Sequence, residues 1–138
     1  MMINLFGRFM SVVLMAMTLT ACADAAQAAR GWRIEITTDG GITGRGLGNA
    51  TITRESIAQC DHAAFDRALR AAKPSAWKRG YRQPSNPRGY ADQILTTMTL
   101  TIGEKSHTTS WYTGARDLVP PDAIALFDTA WPLRTCGR

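Results

Sequence analysis

The hydrophobic and polar positions of this chain follow two periods, one typical of strands and one typical of helices. Residues 32–38 and 93–102 place apolar side chains at every second position, which predicts two strands that each bury one face. Residues 105–113 follow the second of these after a short turn and are predicted to pair with it as a hairpin. Two weaker strands are predicted at residues 42–47 and 49–53.

The first helix is predicted over residues 54–73, with Ser56 or Asp61 capping its start and Pro74 ending it. Its apolar stripe has helical spacing: Phe65, Ala68, Leu69, Ala72. A second helix is predicted to begin at Pro120. Its stripe is Ile124, Phe127, Trp131. These elements predict a single α+β domain, in which one small antiparallel sheet carries both helices on one face.

The start of the chain has the composition of a targeting signal. Residues 1–8 contain one charge, Arg8, and residues 9–21 are uncharged and mostly apolar. A basic start, about a dozen apolar residues and then small residues is the layout of a secretory signal. A membrane-spanning helix needs about 20 apolar residues, more than this stretch supplies. The sequence therefore predicts an exported protein.

Two cleavage sites fit the end of this signal. Residues 19–22, L-T-A-C, resemble the lipobox of bacterial lipoproteins, in which Cys22 becomes the lipid-modified first residue. Residues 26–28, A-Q-A, fit ordinary signal peptidase and would release a chain that starts at Ala29. We favour lipidation, because the apolar stretch runs directly into Leu19.

Lipidation divides the chain into a signal at residues 1–21, a tether at 22–30 and one domain at 31–138. The lipid would be its only membrane attachment, on the periplasmic side of the cell envelope. Because Arg8 is the only charge that the signal carries, its removal lowers the net charge from +5 to +4. A mildly basic protein is attracted to anionic surfaces, but this balance does not identify the fold.

Cys60 and Cys136 remain after either cleavage. An even pair in an oxidising compartment is predicted to form one disulfide, which would join the first helix to the end of the chain. The alternative is two free, buried thiols.

The sequence does not contain a recognisable catalytic or metal-binding set. His62 and His107 are the only histidines, and neither has partners at metal-ligand spacing. A set of Ser110, His107 and Asp117 can be assembled on paper, but no nucleophile elbow accompanies it. We therefore expect a protein that is not an enzyme and that needs no metal or cofactor.

Glycines recur at every second position between residues 44 and 48. Their spacing differs from the G-x-G-x-x-G of dinucleotide-binding loops, and no helix follows directly to hold a phosphate. A glycine-kinked hairpin is the better interpretation.

Residues 73–90, here called the basic loop, contain no acidic residue and interleave aromatic side chains with basic ones. The basic residues chosen as candidate contacts are Lys78, Arg79, Arg82, Arg88. This composition can bind single-stranded nucleic acid, but an exported protein rarely meets any, so no nucleic-acid partner is expected. Anionic envelope lipid or an acidic protein surface is favoured, and a solvated loop is the alternative.

Three segments carry a family resemblance. Residues 34–44 read I-E-I-T-T-D-G-G-I-T-G, residues 90–92 lead into the apolar strand 94–102, and Val119 and Pro120 precede the last helix. In this order they resemble the emfourin family, small proteinaceous inhibitors of thermolysin-like metallopeptidases. The resemblance implies an inhibitor that presents a glycine-rich turn, residues 39–48, to a secreted or periplasmic metallopeptidase.

The contact residues expected on that turn are Asp39, Gly40, Gly41, Ile42, Gly44. Such an inhibitor needs no catalytic group, only a rigid surface of ordinary interface size. The second hypothesis is an envelope structural or adhesion lipoprotein whose basic loop contacts anionic surfaces. An enzyme is the third.

Overall fold

The computed structural model describes residues 31–83 and 92–136, which contain a five-stranded sheet. Its strands are β1 (Trp32–Gly40), β2 (Ala50–Thr53), β3 (Gly80–Tyr81), β4 (Ile94–Ile102) and β5 (Lys105–Tyr112). They lie in the order β2-β1-β4-β5-β3, and all neighbours are antiparallel except β3 and β5. Two α-helices, α1 (Ala63–Ala71) and α2 (Pro121–Ala130), complete the described fold. The predicted α+β class is confirmed.

The period-two pattern places one face of the sheet in the core. Ile34 lies opposite Leu100 and Ile36 lies opposite Met98 across the β1–β4 pair, and all four side chains are fully buried. The intervening positions, such as Arg33, face the other side and are exposed. The sheet is therefore apolar on one face and polar on the other, as the alternation predicts.

Both helices pack on the apolar face of the sheet. The Phe65 ring of α1 lies 4.9 Å from the Trp32 ring of β1. The Phe127 ring of α2 meets the Trp111 ring of β5 edge-on, with ring centres 5.3 Å apart. Because Trp32 and Trp111 belong to the buried face, this arrangement confirms the predicted placement of the helices.

The prediction of one helix over residues 54–73 was wrong. The chain forms a 3-10 turn at Glu55–Ile57, and α1 begins only at Ala63. Ser56 closes the first turn instead of capping α1: its hydroxyl donates to the Thr53 carbonyl oxygen and accepts from the Thr53 N–H, at 2.9 Å each. These side-chain bonds compete with helix propagation. Asp61, the other predicted cap, accepts the Ala63 N–H at 3.2 Å just before α1.

The apolar stripe of α2 is rotated from the prediction. Ala123, Leu126 and Ala130 are fully buried, whereas Ile124 and Phe127 are only partly buried. The two small alanines allow the helix to lie close to the sheet, so they take the innermost positions. The apolar residues that were predicted to be innermost instead flank them.

Residues 74–91 were predicted as a loop, and this was wrong in part. Gly80 and Tyr81 form β3, pairing in parallel with Ser110 and Trp111. Pro74–Ala76 is a 3-10 turn. A two-residue strand is too short to show a period in the sequence, so the pattern could not indicate it.

The predicted cysteine pair is confirmed as a disulfide. Cys60 and Cys136 have Cα atoms 6.2 Å apart, within the range of a disulfide. Because α1 begins at Ala63, the bridge starts from the segment before the helix and not from the helix itself. It ties this segment to the 3-10 turn at Trp131–Thr135, which follows α2.

Candidate functional site: the glycine loop

The chain between β1 and β2 forms a coiled loop, here called the glycine loop (residues 39–48). The strand predicted at 42–47 does not form, and an isolated bridge between Gly40 and Arg45 takes its place. The glycines of this loop all have positive φ: Gly40 87°, Gly41 75°, Gly44 67°, Gly46 61°, Gly48 100°. Repeated left-handed residues coil the backbone, and extended pairing cannot continue through them.

Hydrogen bonds within the backbone fix the loop. The Gly44 N–H donates to the Gly41 carbonyl oxygen at 3.0 Å, and the Gly46 N–H donates to the Gly40 carbonyl oxygen at 2.9 Å. The Gly41 N–H donates to the carbonyl oxygen of Gln93, just before β4, at 3.1 Å. The loop is thus closed on itself and joined to the sheet.

The side chain of Thr38 fixes the end of the loop that leads into β2. Its side chain is only 3 % exposed, and its hydroxyl donates to the Gly48 carbonyl oxygen at 2.7 Å while accepting the Leu47 N–H at 2.6 Å. Thr38 is not among the contact residues predicted from the sequence. A usable signal was present, because Thr38 is a polar residue at a position where the alternation of β1 requires a buried side chain.

Close backbone contacts explain why two of the positions are glycine. A Cβ atom at Gly46 would lie 2.2 Å from the Thr38 carbonyl oxygen, and one at Gly40 would lie 2.7 Å from the Gln93 carbonyl oxygen. A Cβ atom at Gly44 would meet nothing within 4 Å. The loop therefore packs tightly against the sheet at Gly40 and Gly46, and Gly44 lies in the open.

The loop presents apolar side chains to solvent. Ile42 is 92 % exposed and Leu47 is 63 % exposed. Among the described residues, the only other large hydrophobic side chain with comparable exposure is Leu118, at 46 %. Apolar side chains that cluster at one exposed place mark a contact surface more often than singly scattered ones do. The predicted contact residue Ile42 is the most exposed of them.

A shallow recess of about 230 Å³ lies beside the loop, lined by Asp39, Gly40, Gln93, Leu95, Tyr112. Asp39 pairs with Leu95 and Leu95 pairs with Tyr112 across three neighbouring strands, which places their side chains in one row on the outer face. Leu95 and Tyr112 point outward from β4 and β5. The other outward side chains of these two strands are polar. That irregularity was the sequence signal for the recess.

Arg82, in the described part of the basic loop, reaches this recess. The Arg82 guanidinium lies 5.8 Å from the centre of the Tyr112 ring, in the range of a cation–π contact. The structure thus brings Arg82 to the same end of the sheet as Asp39 and Gly40, which the sequence could not show.

The other described candidates of the basic loop, Lys78 and Arg79, lie along β5. Thr109 donates to the Lys78 carbonyl oxygen at 2.8 Å, and Ser110 donates its N–H to the Arg79 carbonyl oxygen at 3.0 Å, so this segment lies along β5. Neither Lys78 nor Arg79 lines the recess. Arg88 and the lipidation candidate Cys22 lie outside the described residues.

The residues considered for catalysis are not assembled. His107 and Ser110 are three positions apart in β5 and so face opposite sides of the sheet. His62 Nδ1 lies 2.8 Å from the Asp66 carboxylate. Over residues 31–83 and 92–136, no three His, Cys, Asp or Glu side chains converge as metal ligands. In the same ranges no helix has both the length and the apolar character needed to cross a bilayer.

Comparison with known proteins gives no match for this chain, either among family models, curated sequences or solved structures. The resemblance to the emfourin family therefore stays a prediction, and the geometry of the glycine loop carries the functional argument.

Proposed function

We propose that the protein is an exported, non-enzymatic binding domain that inserts its glycine loop into a peptidase of the thermolysin-like class. One observation carries the proposal: Ile42 stands 92 % exposed on a loop whose backbone is fixed by hydrogen bonds. Exposing a large apolar side chain to water has no benefit for folding, so a contact with a partner is the simplest use for it.

The rigidity of the loop favours tight binding. Association orders flexible segments at a cost in conformational entropy, and a segment that is already ordered avoids that cost. Here Thr38 and Gln93 hold the two sides of the loop before any partner arrives. Ile42 can then act as the anchor that fills an apolar pocket on the partner.

The recess extends this contact surface. Leu95 and Tyr112 add an apolar floor beside the loop, and Arg82 and Asp39 add charges at its border. An apolar centre bordered by polar groups is the ordinary anatomy of a protein interface. The choice of a peptidase as partner is supported by the sequence of residues 34–44, which resembles the emfourin turn.

A substitution of the exposed Ile42 side chain gives a direct test of the proposed interface. Replacing Ile42 with alanine is expected to weaken inhibition by about thirtyfold, or roughly 2 kcal/mol, as loss of an interface anchor does. The fold should be unaffected, because the side chain contacts little of its own domain. Inhibition constants measured against one responsive peptidase provide the readout.

The matched control is Leu118→Ala, which removes an exposed apolar side chain outside residues 39–48. It should leave inhibition unchanged. Equal inhibition by the wild-type protein and the Ile42→Ala variant would remove the glycine loop from the interface.

We further propose that the domain is held at the periplasmic face of a membrane by lipid on Cys22. The apolar stretch that ends at Leu19 supports this assignment. Mass spectrometry of the native protein should find an acylated Cys22 as its first residue. A mature chain that begins with an unmodified Ala29 would show that ordinary signal peptidase acts instead.

The second candidate function is an envelope-binding lipoprotein. It is favoured by Lys78 and Arg79, whose side chains make no ion pair with any described residue. Recovery of bound material from an envelope extract separates the two functions. A metallopeptidase in the recovered fraction supports the inhibitor, and bulk anionic lipid or cell-wall material supports the envelope binder.

A further inference from the structure

The edge of the sheet at β5 is only partly covered. β3 pairs with β5 at Ser110 and Trp111, and within the described chain the preceding residues of β5, 105–109, have no strand beside them on that side. A groove of about 550 Å³ lies along this uncovered edge, lined by Pro74, Trp77, Arg79, Ser106, His107, Thr108. An uncovered strand edge is a template with which another chain can pair.

The uncovered edge presents backbone groups that face away from the sheet. The Ser110 N–H donates to the Arg79 carbonyl oxygen at 3.0 Å, so Ser110 directs its backbone groups away from β4. The side to which these groups point alternates along a strand, so Ser106 and Thr108 direct theirs the same way. No hydrogen bond between described residues uses them. They form one half of a ladder, which an extended peptide backbone can complete.

β3 determines how far an added peptide can run along this edge. Arg79 and Gly80 already lie beside the next residues of β5, so the peptide cannot continue past Arg79. A peptide parallel to β5 ends there with its C-terminal carboxylate, whereas an antiparallel peptide begins there with its ammonium group. The Arg79 guanidinium makes no hydrogen bond or ion pair with another described residue. Its charge therefore favours the parallel peptide with a free C-terminus.

The side of the groove that bears the helices offers an aromatic surface. His107 lies opposite Leu100, which is buried in the core, so His107 belongs to the helix-bearing face. The Trp77 indole N–H donates to Asp122 Oδ2 of α2 at 2.9 Å, which holds the indole ring on the same face. Partial burial raises the pKa of Asp122, but its hydrogen bonds together outweigh burial and hold the pKa below its ordinary value. The partner of Trp77 is therefore a carboxylate at neutral pH.

We propose that this edge binds the C-terminal end of an extended peptide, at a site distinct from the glycine loop. The last residue of the peptide lies opposite His107 and donates its N–H to the Ser106 carbonyl oxygen. Its carboxylate accepts from the Thr108 N–H and from the Arg79 guanidinium. Its side chain shares a face with His107 and packs on Trp77, which favours an apolar residue. A simple anion has no N–H for the Ser106 carbonyl oxygen, so the backbone edge selects a peptide.

The chemistry of the groove thus identifies the partner as the C-terminal tail of a protein, extended and ending in an apolar residue. The test is calorimetric titration of the protein, expressed from its whole coding sequence, with the acetylated tetrapeptide TVTL. The alternation of this peptide places its leucine and valine side chains on the Trp77 side. Two matched peptides each remove one contact: a C-terminal amide removes the charge, and N-methylation of the leucine removes the N–H.

The free acid should bind at least about tenfold more tightly than either matched peptide, since each of them lacks one contact. Equal binding of the free acid and the amide would remove Arg79 from the site. Equal binding of the free acid and the N-methylated peptide would show a general anion site, and it would overturn the proposal. No heat of binding from the free acid would also overturn it.

A charge variant locates the carboxylate. Arg79→Gln should weaken binding of the free acid by about tenfold, by removing the contact of the guanidinium with the carboxylate. Arg67→Gln is the control, because Arg67 is an exposed arginine of α1 and lies outside the groove. It removes the same charge and should leave the affinity unchanged. Equal weakening by both variants would show a general charge effect and contradict the site.

A proline variant locates the backbone edge. Thr108→Pro removes the N–H that the carboxylate needs and should weaken binding by about tenfold or more, while the ladder with β4 keeps its bonds. Thr51→Pro is the matched control, because Thr51 is an exposed threonine in the same cross-strand row at the opposite edge of the sheet. Equal weakening by the two prolines would contradict the site. The N-methylated peptide tests the same edge in the unaltered protein. Peptidase inhibition does not enter these readings, so either proposal can fail alone.

Discussion

Replacing Cys60 and Cys136 together with serine is expected to lower the free energy of unfolding by about 4 kcal/mol. The bridge closes a separation of 76 residues, and such a cross-link removes many conformations from the unfolded chain. In the folded state it ties the segment before α1 to the turn after α2. Denaturant unfolding, followed by the fluorescence of the buried tryptophans, measures the loss.

The single variant Cys60→Ser provides the control for this prediction. It breaks the same bond and should cost about as much as the double variant. A reducing agent should destabilise the wild-type protein and leave the double variant unchanged. Identical unfolding curves for the oxidised wild-type protein and the double variant would mean that the bridge adds no stability.

Replacing Gly46 with alanine is expected to cost about 3 kcal/mol and to abolish binding through the glycine loop. The new Cβ atom would lie 2.2 Å from the Thr38 carbonyl oxygen, closer than any real contact, so the loop must move away from the sheet. That movement breaks the bond between the Leu47 N–H and the Thr38 hydroxyl. Faster hydrogen exchange at the Leu47 amide would report it directly.

Gly44→Ala is the matched variant, because the two glycines have similar φ values, 67° and 61°. Both replacements place a Cβ atom on a left-handed residue, which costs about 1 kcal/mol, but only the one at Gly46 meets the sheet. The Gly44 variant should therefore keep the loop packed against the sheet and the Leu47 amide protected from exchange. Equal costs for the two variants would show that backbone strain, and not the contact with Thr38, sets the loop.

The long strands could be predicted because their pattern is repeated over many residues. β1 and β4 each run for nine residues, and every buried position follows the alternation. The disulfide could also be predicted, since Cys60 and Cys136 are the two cysteines that remain once the predicted signal is removed. A strand pattern of this length, and a single pair of cysteines, are not changed by small local contacts.

The predictions of secondary structure were wrong where local side-chain hydrogen bonds or short contacts determine the structure. The bonds between Ser56 and Thr53 close a separate turn before the first helix, so that the helix begins late, and helix propensities do not include such bonds. The strand at Gly80–Tyr81 exists only because β5 has a free edge beside it. Neither fact can be read from the composition of its own segment.

The turn that carries the candidate site was predicted in its position but not in its form. The glycines indicated a turn with positive φ, and Gly40 and Gly41 both have it. They did not show that the next glycines would coil the chain so that Ile42 points into solvent. The recess also required tertiary information, because Asp39, Leu95 and Tyr112 come from three strands.

Titration of thermolysin-like peptidases with the folded protein tests the central proposal most directly. Cleavage of a peptide substrate is followed as the protein is added, across several enzymes of the class. If the glycine loop binds as proposed, at least one of these peptidases should lose activity progressively as the protein approaches micromolar concentration. Full activity of every enzyme at that concentration, with cooperative unfolding of the same protein sample demonstrated, would contradict the inhibitor proposal.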